Sequence, residues 1–215
     1  MTLLSIRARI KMIFLIAFAL TSLAVPAHTQ SGASGWDIPE FTATQIISTT
    51  KYEISMQVYR ANAAVRAQYT PALARLLMPG AGKVYNLTVN PGGGQTCVAS
   101  SPDSGMGLPN LLELLYGAQF KRTPVGKEVV EGHETTVENV VATRPDGKTI
   151  EFKAWVAADL KGIPVKLESQ HTGMRVTAVY RDIVFRSPDA ALFAIPARCI
   201  PLDKMGQVVE YKVYQ

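Results

Sequence analysis

The stretch from Val129 to Phe185 constrains the fold most, because four runs of alternating apolar and polar residues follow one another there with only short turns between them. Alternation with period two sets one row of side chains on each face of a strand, so such a series predicts an antiparallel meander with one face against a core. Val137, Asn139 and Val141 oppose Thr136, Glu138 and Val140. Arg144-Pro145-Asp146-Gly147 has strong turn chemistry, and Lys148 to Ala157 returns with Ile150, Phe152, Ala154 and Val156 on one face and Glu151, Lys153 and Trp155 on the other. Asp159 to Gly162 turns the chain again, and Ile163, Val165 and Leu167 oppose Lys166, Glu168 and Gln170. After Thr172-Gly173 a long strand carries Met174, Val176, Ala178 and Tyr180 on one face, and the change of face at Ile183 to Phe185 predicts a bend or bulge.

The residues before this stretch continue the theme. Phe41 to Thr50 is rich in Thr and Ile, and Lys51 to Tyr59 alternates with Tyr52, Ile54, Met56 and Val58 on one face. Ala63, Val65, Ala67 and Tyr69 extend the pattern to Thr70. Leu73 to Met78 suits a short helix or a buried strand, and the turn Pro79-Gly80-Ala81-Gly82 leading into Tyr85, Leu87 and Val89 favours the strand. Pro91-Gly92-Gly93-Gly94 lacks the lysine and hydroxyl that a phosphate loop needs, so it reads as a connection. Between Pro109 and Ala118 the period changes. Leu111, Leu112, Leu114 and Leu115 predict a helix from Pro109 to about Gly117 that lies over the sheet. Pro188 to Phe193 predicts a single helical turn. The fold class is therefore α+β, mainly antiparallel β.

Arg7, Arg9 and Lys11 precede an apolar run from Met12 to Leu20 that ends in small residues at Val25-Pro26-Ala27. This predicts a secretory signal peptide over 1–27, because the run is well short of the roughly 20 residues that span a bilayer. A flexible leader over 28–38, one domain over 39–201 and a tail or extra edge strand over 202–215 follow, with no transmembrane segment in the mature chain. Removing the signal lowers Lys+Arg from 22 to 19 against 17 Asp+Glu, so the net charge falls from +5 to +2. Nucleic-acid binding loses its compositional support with it. Cys97 and Cys199 are the only two cysteines, and in an exported chain they most simply form a disulfide; a metal pair is the alternative, but the spacing matches no ligand motif.

No catalytic signature emerges. His133 and His171 each sit beside a Gly-containing turn, without the spacing of a metal site, and read as structural or solvated residues. No Gly-x-Ser-x-Gly elbow is present, and Asp182 is either a buried carboxylate or the partner of a neighbouring Arg. These residues predict no enzyme, no metal site and no cofactor. A curved sheet leaves a concave face, and Met56, Val58, Tyr85, Leu87, Phe152, Leu167, Met174, Val176 and Tyr180 are the candidates to line it; taken one at a time, each is more often simply core.

The segments Gly126-Lys127-Glu128, Glu131 to Thr135, Phe152 to Val156, Leu160 to Lys166 and Pro188 to Pro196 resemble bacterial periplasmic proteins related to the outer-membrane lipoprotein carriers and sorting proteins (LolA/LolB-like). More narrowly, they are similar to a family of secreted half-barrel domains of unassigned function. The resemblance covers about Phe41 to Pro201, and Asp189-Ala190-Ala191-Leu192-Phe193-Ala194-Ile195-Pro196 is its most specific part. It implies an unclosed antiparallel half-barrel of about 10–11 strands with helices in its mouth and an apolar cavity between. It also implies a periplasmic partner of hydrophobic chemistry, a lipid or the acyl chain of a lipoprotein. A structural or sensory envelope module that binds a protein partner is the other reading.

Overall fold

The computed structural model describes residues 38–102, 117–171 and 174–205. The segments expected to form a signal peptide, nearly all of the leader, the helix from Pro109 and the turn at Thr172-Gly173, together with the tail from 206, lie outside the described residues. The strands are β1 (Phe41–Ser48), β2 (Glu53–Ala61), β3 (Ala64–Thr70), β4 (Leu73–Met78), β5 (Lys83–Val89), β6 (Gln95–Ser100), β7 (Gln119–Val130), β8 (His133–Thr143), β9 (Thr149–Ala157), β10 (Ile163–His171), β11 (Met174–Val184) and β12 (Ile200–Pro201). They form one 12-stranded sheet in the order β12-β6-β5-β4-β3-β2-β1-β11-β10-β9-β8-β7. Every pairing is antiparallel except the two-residue contact of β12 with β6.

The sheet consists of two meanders, β1 to β6 and β7 to β11, joined where β1 pairs with β11. It is not closed, because β7 and β12 stand at opposite ends of the order. Register shifts interrupt β1 against β11, β10 against β9, β3 against β4 and β7 against β8. Each such irregularity bends its strand and increases the twist, so the sheet is curved rather than flat. The expected bend near Ile183 is one of these: Asp182 has φ 52° where β11 slips against β1. Its carboxylate is exposed and accepts from Thr44 Oγ1 at 3.3 Å, so the buried-carboxylate alternative is set aside.

Two expectations are corrected. The described residues form twelve strands, because the two residues of β12 add a strand at one end and β7 is a full strand. β7 runs 12 residues and starts well before Val129. Its Pro124, Gly126 and four charges resemble a connection in sequence, but an end strand tolerates Pro and charge because its outer edge has no ladder to complete. The helical elements bounded within the described residues are short 3₁₀ turns, Pro79–Ala81, Ala190–Phe193 and Leu202–Lys204, and the expected covering helix lies outside the described residues.

The turns follow local chemistry. Glu131 and Gly132, with φ 50° and 83°, form a two-residue link between β7 and β8. Both central residues of such a link need positive φ, which glycine adopts without cost. A Cβ at Gly132 meets nothing within 4 Å, so Gly132→Ala carries a purely conformational penalty. It is expected to lower the unfolding free energy by about 1 kcal/mol, read as a lower urea midpoint at unchanged slope. A midpoint equal to that of the wild type rejects this account of the turn.

Candidate ligand-binding face

Cross-strand registers place one continuous row of side chains on the same face of the sheet. Val58 lies beside Ala43 of β1 and Ala67 of β3, while Gln45 of β1 lies beside Tyr180 of β11 and Met56 of β2. Leu167 lies beside Ala178 and Ala154, and Phe152 lies beside Val140 of β8. This face is mostly apolar from β3 to β9. The other face carries mixed chemistry, with Thr44, Gln57, Thr177 and Arg181 at the middle strands.

The apolar face has a sealed centre and a looser wing. Phe41, Met56, Val58 and Tyr180 are buried in one cluster, with Val176 half-buried against it. Phe41 meets the Tyr180 ring edge to face at 6.2 Å, which favours the opposed ring quadrupoles. Toward β7, buried Val140, Ala154 and Leu167 form a second cluster, and the partly buried Phe120, Phe152 and Val156 pack on it. Seven of the nine expected lining positions thus follow this face: Met56, Val58, Phe152, Leu167, Val176 and Tyr180 by their contacts, and Met174 by its place on β11 opposite His171.

Tyr85 and Leu87 do not join them. They point to the opposite face and pack with Ala74, Leu76 and Cys97 beneath Phe193 and Cys199. The reason is that β4 and β5 are apolar on both sides: Leu77 and Val84 serve the first face while Leu76 and Tyr85 serve the second. The disulfide Cys97–Cys199 pins the C-terminal segment over that second patch, with Cα atoms 4.5 Å apart. A cavity of about 730 Å³ opens beside it, bounded by Tyr85, Ala99, Ile195, Pro196 and Leu202.

Polar groups interrupt the apolar face at three places. Gln45 Nε2 donates to Tyr180 Oη at 2.8 Å, and burial pushes the Tyr180 phenol well above its ordinary range. Arg75 Nη1 donates to Asn86 Oδ1 at 3.1 Å. Arg122 grips Glu138 with two hydrogen bonds of 2.7 and 3.0 Å, a planar fork-to-carboxylate geometry. Sequence reasoning named none of these pairs. Their only trace in the sequence is a polar residue where alternation calls for an apolar one, as at Gln45 between Ala43 and Ile47.

Trp155 keeps to the other face, as expected from its parity. Its Nε1 donates to Glu128 Oε2 at 2.7 Å, and Lys166 Nζ lies 4.0 Å from its ring centroid. His133 Nδ1 lies 2.6 Å from Asp159 Oδ2, tying the start of β8 to the loop after β9. The His133 hydrogen bond holds the Asp159 carboxyl below the usual carboxylate range. A lowered folded pKa stabilises the fold above the unfolded aspartate value of about 3.9, and that contribution disappears as pH falls through the folded value. The Tm gap between wild type and His133→Ala should therefore be present near pH 6 and shrink below about pH 4. A gap that stays constant to about pH 2 contradicts the assignment. Among the described residues, no group of three or more His, Cys, Asp or Glu is placed to hold a metal ion.

No protein-family model matches the chain, and no curated protein matches it. Solved structures do. The lipoprotein LppX of Mycobacterium tuberculosis is 14% identical, with 69% of this chain and 88% of that chain covered at a TM-score of 0.40. A protein of the LolA superfamily stands among them. It is NE2245 of Nitrosomonas europaea, 11% identical, with 75% of this chain and 93% of that one covered at a TM-score of 0.41. The MucA/MucB complex of Pseudomonas aeruginosa is similar at 15% identity and a TM-score of 0.42, over 74% of this chain and 56% of that one. Each likeness is distant.

Proposed function

We propose that this chain is a non-enzymatic periplasmic binding protein that holds a hydrophobic ligand, a lipid or the acyl chain of a lipoprotein, against the apolar face of its sheet. A part in moving lipoproteins toward the outer membrane fits that chemistry. The observation that supports the reading is the set of large apolar side chains, Phe120, Phe152, Val156 and Val176, that are only partly buried on a mostly apolar face. Large partly buried apolar side chains in one row are costly in water, and an apolar ligand laid on them removes that cost. The disulfide supports an oxidising compartment.

Native mass spectrometry on gently isolated protein should find a co-purified lipid, and the delipidated protein should take up an environment-sensitive hydrophobic probe. Absence of both results removes the proposal. A second reading, docking of an envelope protein along a sheet edge, is favoured by β7, which among the described residues pairs only with β8 and exposes Val125 at 51% and Val129 at 69%. Crosslinking of one defined protein through β7, with function intact in Val176→Trp, supports that reading over the first.

A further inference from the structure

The cavity of about 730 Å³ beside the disulfide lies on the sheet face opposite Met56 and Val58, and its volume is that of a small-molecule site. One wall is the sheet. Lys83 and Tyr85 stand two residues apart on β5 and so share a face, and Ala99 lies beside Tyr85 on β6. The other wall is the C-terminal segment, with Pro196, Leu202 and Asp203. The Cys97–Cys199 bond and the pairing of β12 with β6 tie the two walls together, so the cavity is formed before any ligand arrives.

The lining is mostly apolar, and each wall contributes one charge, Lys83 from the sheet and Asp203 from the segment. Both are exposed, and among the described residues neither forms an ion pair. Charges that served only to staple the walls together would meet, as Arg181 and Glu131 do at 2.9 Å. We infer that this cavity binds a zwitterion with an apolar portion, its anionic group set toward Lys83, its ammonium toward Asp203 and its apolar part against Tyr85, Ala99 and Leu202. An anion pairs with Lys83 and is repelled by Asp203, and a cation meets the reverse, so only a dipolar group suits both walls. Arg198 and Lys204 are exposed on the same segment but outside the lining, which makes a simple anion the competing ligand. Two sources share the proposed chemistry, the phosphoethanolamine head of a lipid and a short apolar peptide with free ends. The site is on the other side of the sheet from the proposed lipid wall and does not depend on it.

The test dissects the head on one chain: dodecylphosphoethanolamine, dodecyl phosphate and dodecylamine are titrated below their micellar range, with leucyl-leucine and its N-acetyl form as the peptide arm. Wild type is expected to bind the zwitterion of at least one series about fivefold more tightly than its singly charged relatives, the ratio one exposed ion pair provides. Lys83→Gln and Asp203→Asn should each abolish that preference. Ala99→Trp, which fills the cavity, should abolish it too, while uptake of a hydrophobic probe by the Phe152 wing persists. Thermal melts identify a variant that fails to fold, and Ile195→Trp then replaces Ala99→Trp. A preference in the dodecyl series alone identifies a lipid head and one in the leucine series alone identifies a peptide; either supports the inference. No preference in either series, phosphate binding as tight as that of the zwitterion, or a preference that survives in the folded variants overturns it. Loss of probe uptake by wild type, with the head preference intact, overturns the lipid wall and leaves this site standing.

Discussion

Cys97→Ser combined with Cys199→Ser is expected to be the most destabilising change short of deletion, lowering the unfolding free energy by about 4 to 5 kcal/mol. The bond joins residues 102 apart in sequence. Closing a loop of about a hundred residues in the unfolded chain removes that much conformational freedom in the chain-entropy model. At roughly 2–4 °C per kcal/mol for a chain of this size, Tm should fall by about 10–15 °C. The loss has a location as well as a size. Cys199 and Phe193 pack over Ala74, Leu76, Tyr85 and Leu87, so the unlinked protein should bind an apolar dye there that the oxidised protein excludes. Melting curves with and without reductant measure the first effect, and a Tm change under about 3 °C would sink it. Thiol labelling of native protein without reductant should modify neither cysteine.

Strand identity was legible wherever one face of a strand is apolar and the other polar. Met56 and Val58 against Gln57, or Ala178 and Tyr180 against Thr177 and Arg181, specify both the strand and its inward side. Facing is ambiguous where that contrast is lost. On β4 and β5 adjacent residues such as Leu76 and Leu77 are both buried, so alternation does not say which of two apolar rows faces which layer, and Tyr85 and Leu87 lie on the face opposite Met56 and Val58. β7 was hidden for the opposite reason: as an end strand it needs little apolar surface, and Pro124, Gly126, Lys127 and Glu128 imitate a loop. The Gln45–Tyr180 and Arg122–Glu138 pairs depend on registers between segments 135 and 16 residues apart, which no local pattern encodes. The disulfide needed only compartment logic, and its geometry agrees.

Phe41→Ala and Phe152→Ala should separate core from ligand wall. Both rings belong to the apolar face, but Phe41 is completely buried against Tyr180, whereas Phe152 is only partly buried at the wing. Truncating a fully buried phenylalanine loses its transfer free energy and leaves a cavity, so Phe41→Ala should cost about 3–5 kcal/mol. Phe152→Ala gives up less buried area and can relax toward solvent, so its cost should stay below about 2 kcal/mol. Hydrophobic-probe affinity should rank the two in reverse: folded Phe41→Ala should bind as wild type does, and Phe152→Ala should bind several-fold more weakly. Denaturant melts and probe titrations on the same samples give both rankings. If Phe152→Ala binds the probe unchanged, the partly buried wing is only the margin of a core, because a ligand lying across it could not be indifferent to the loss of its largest ring.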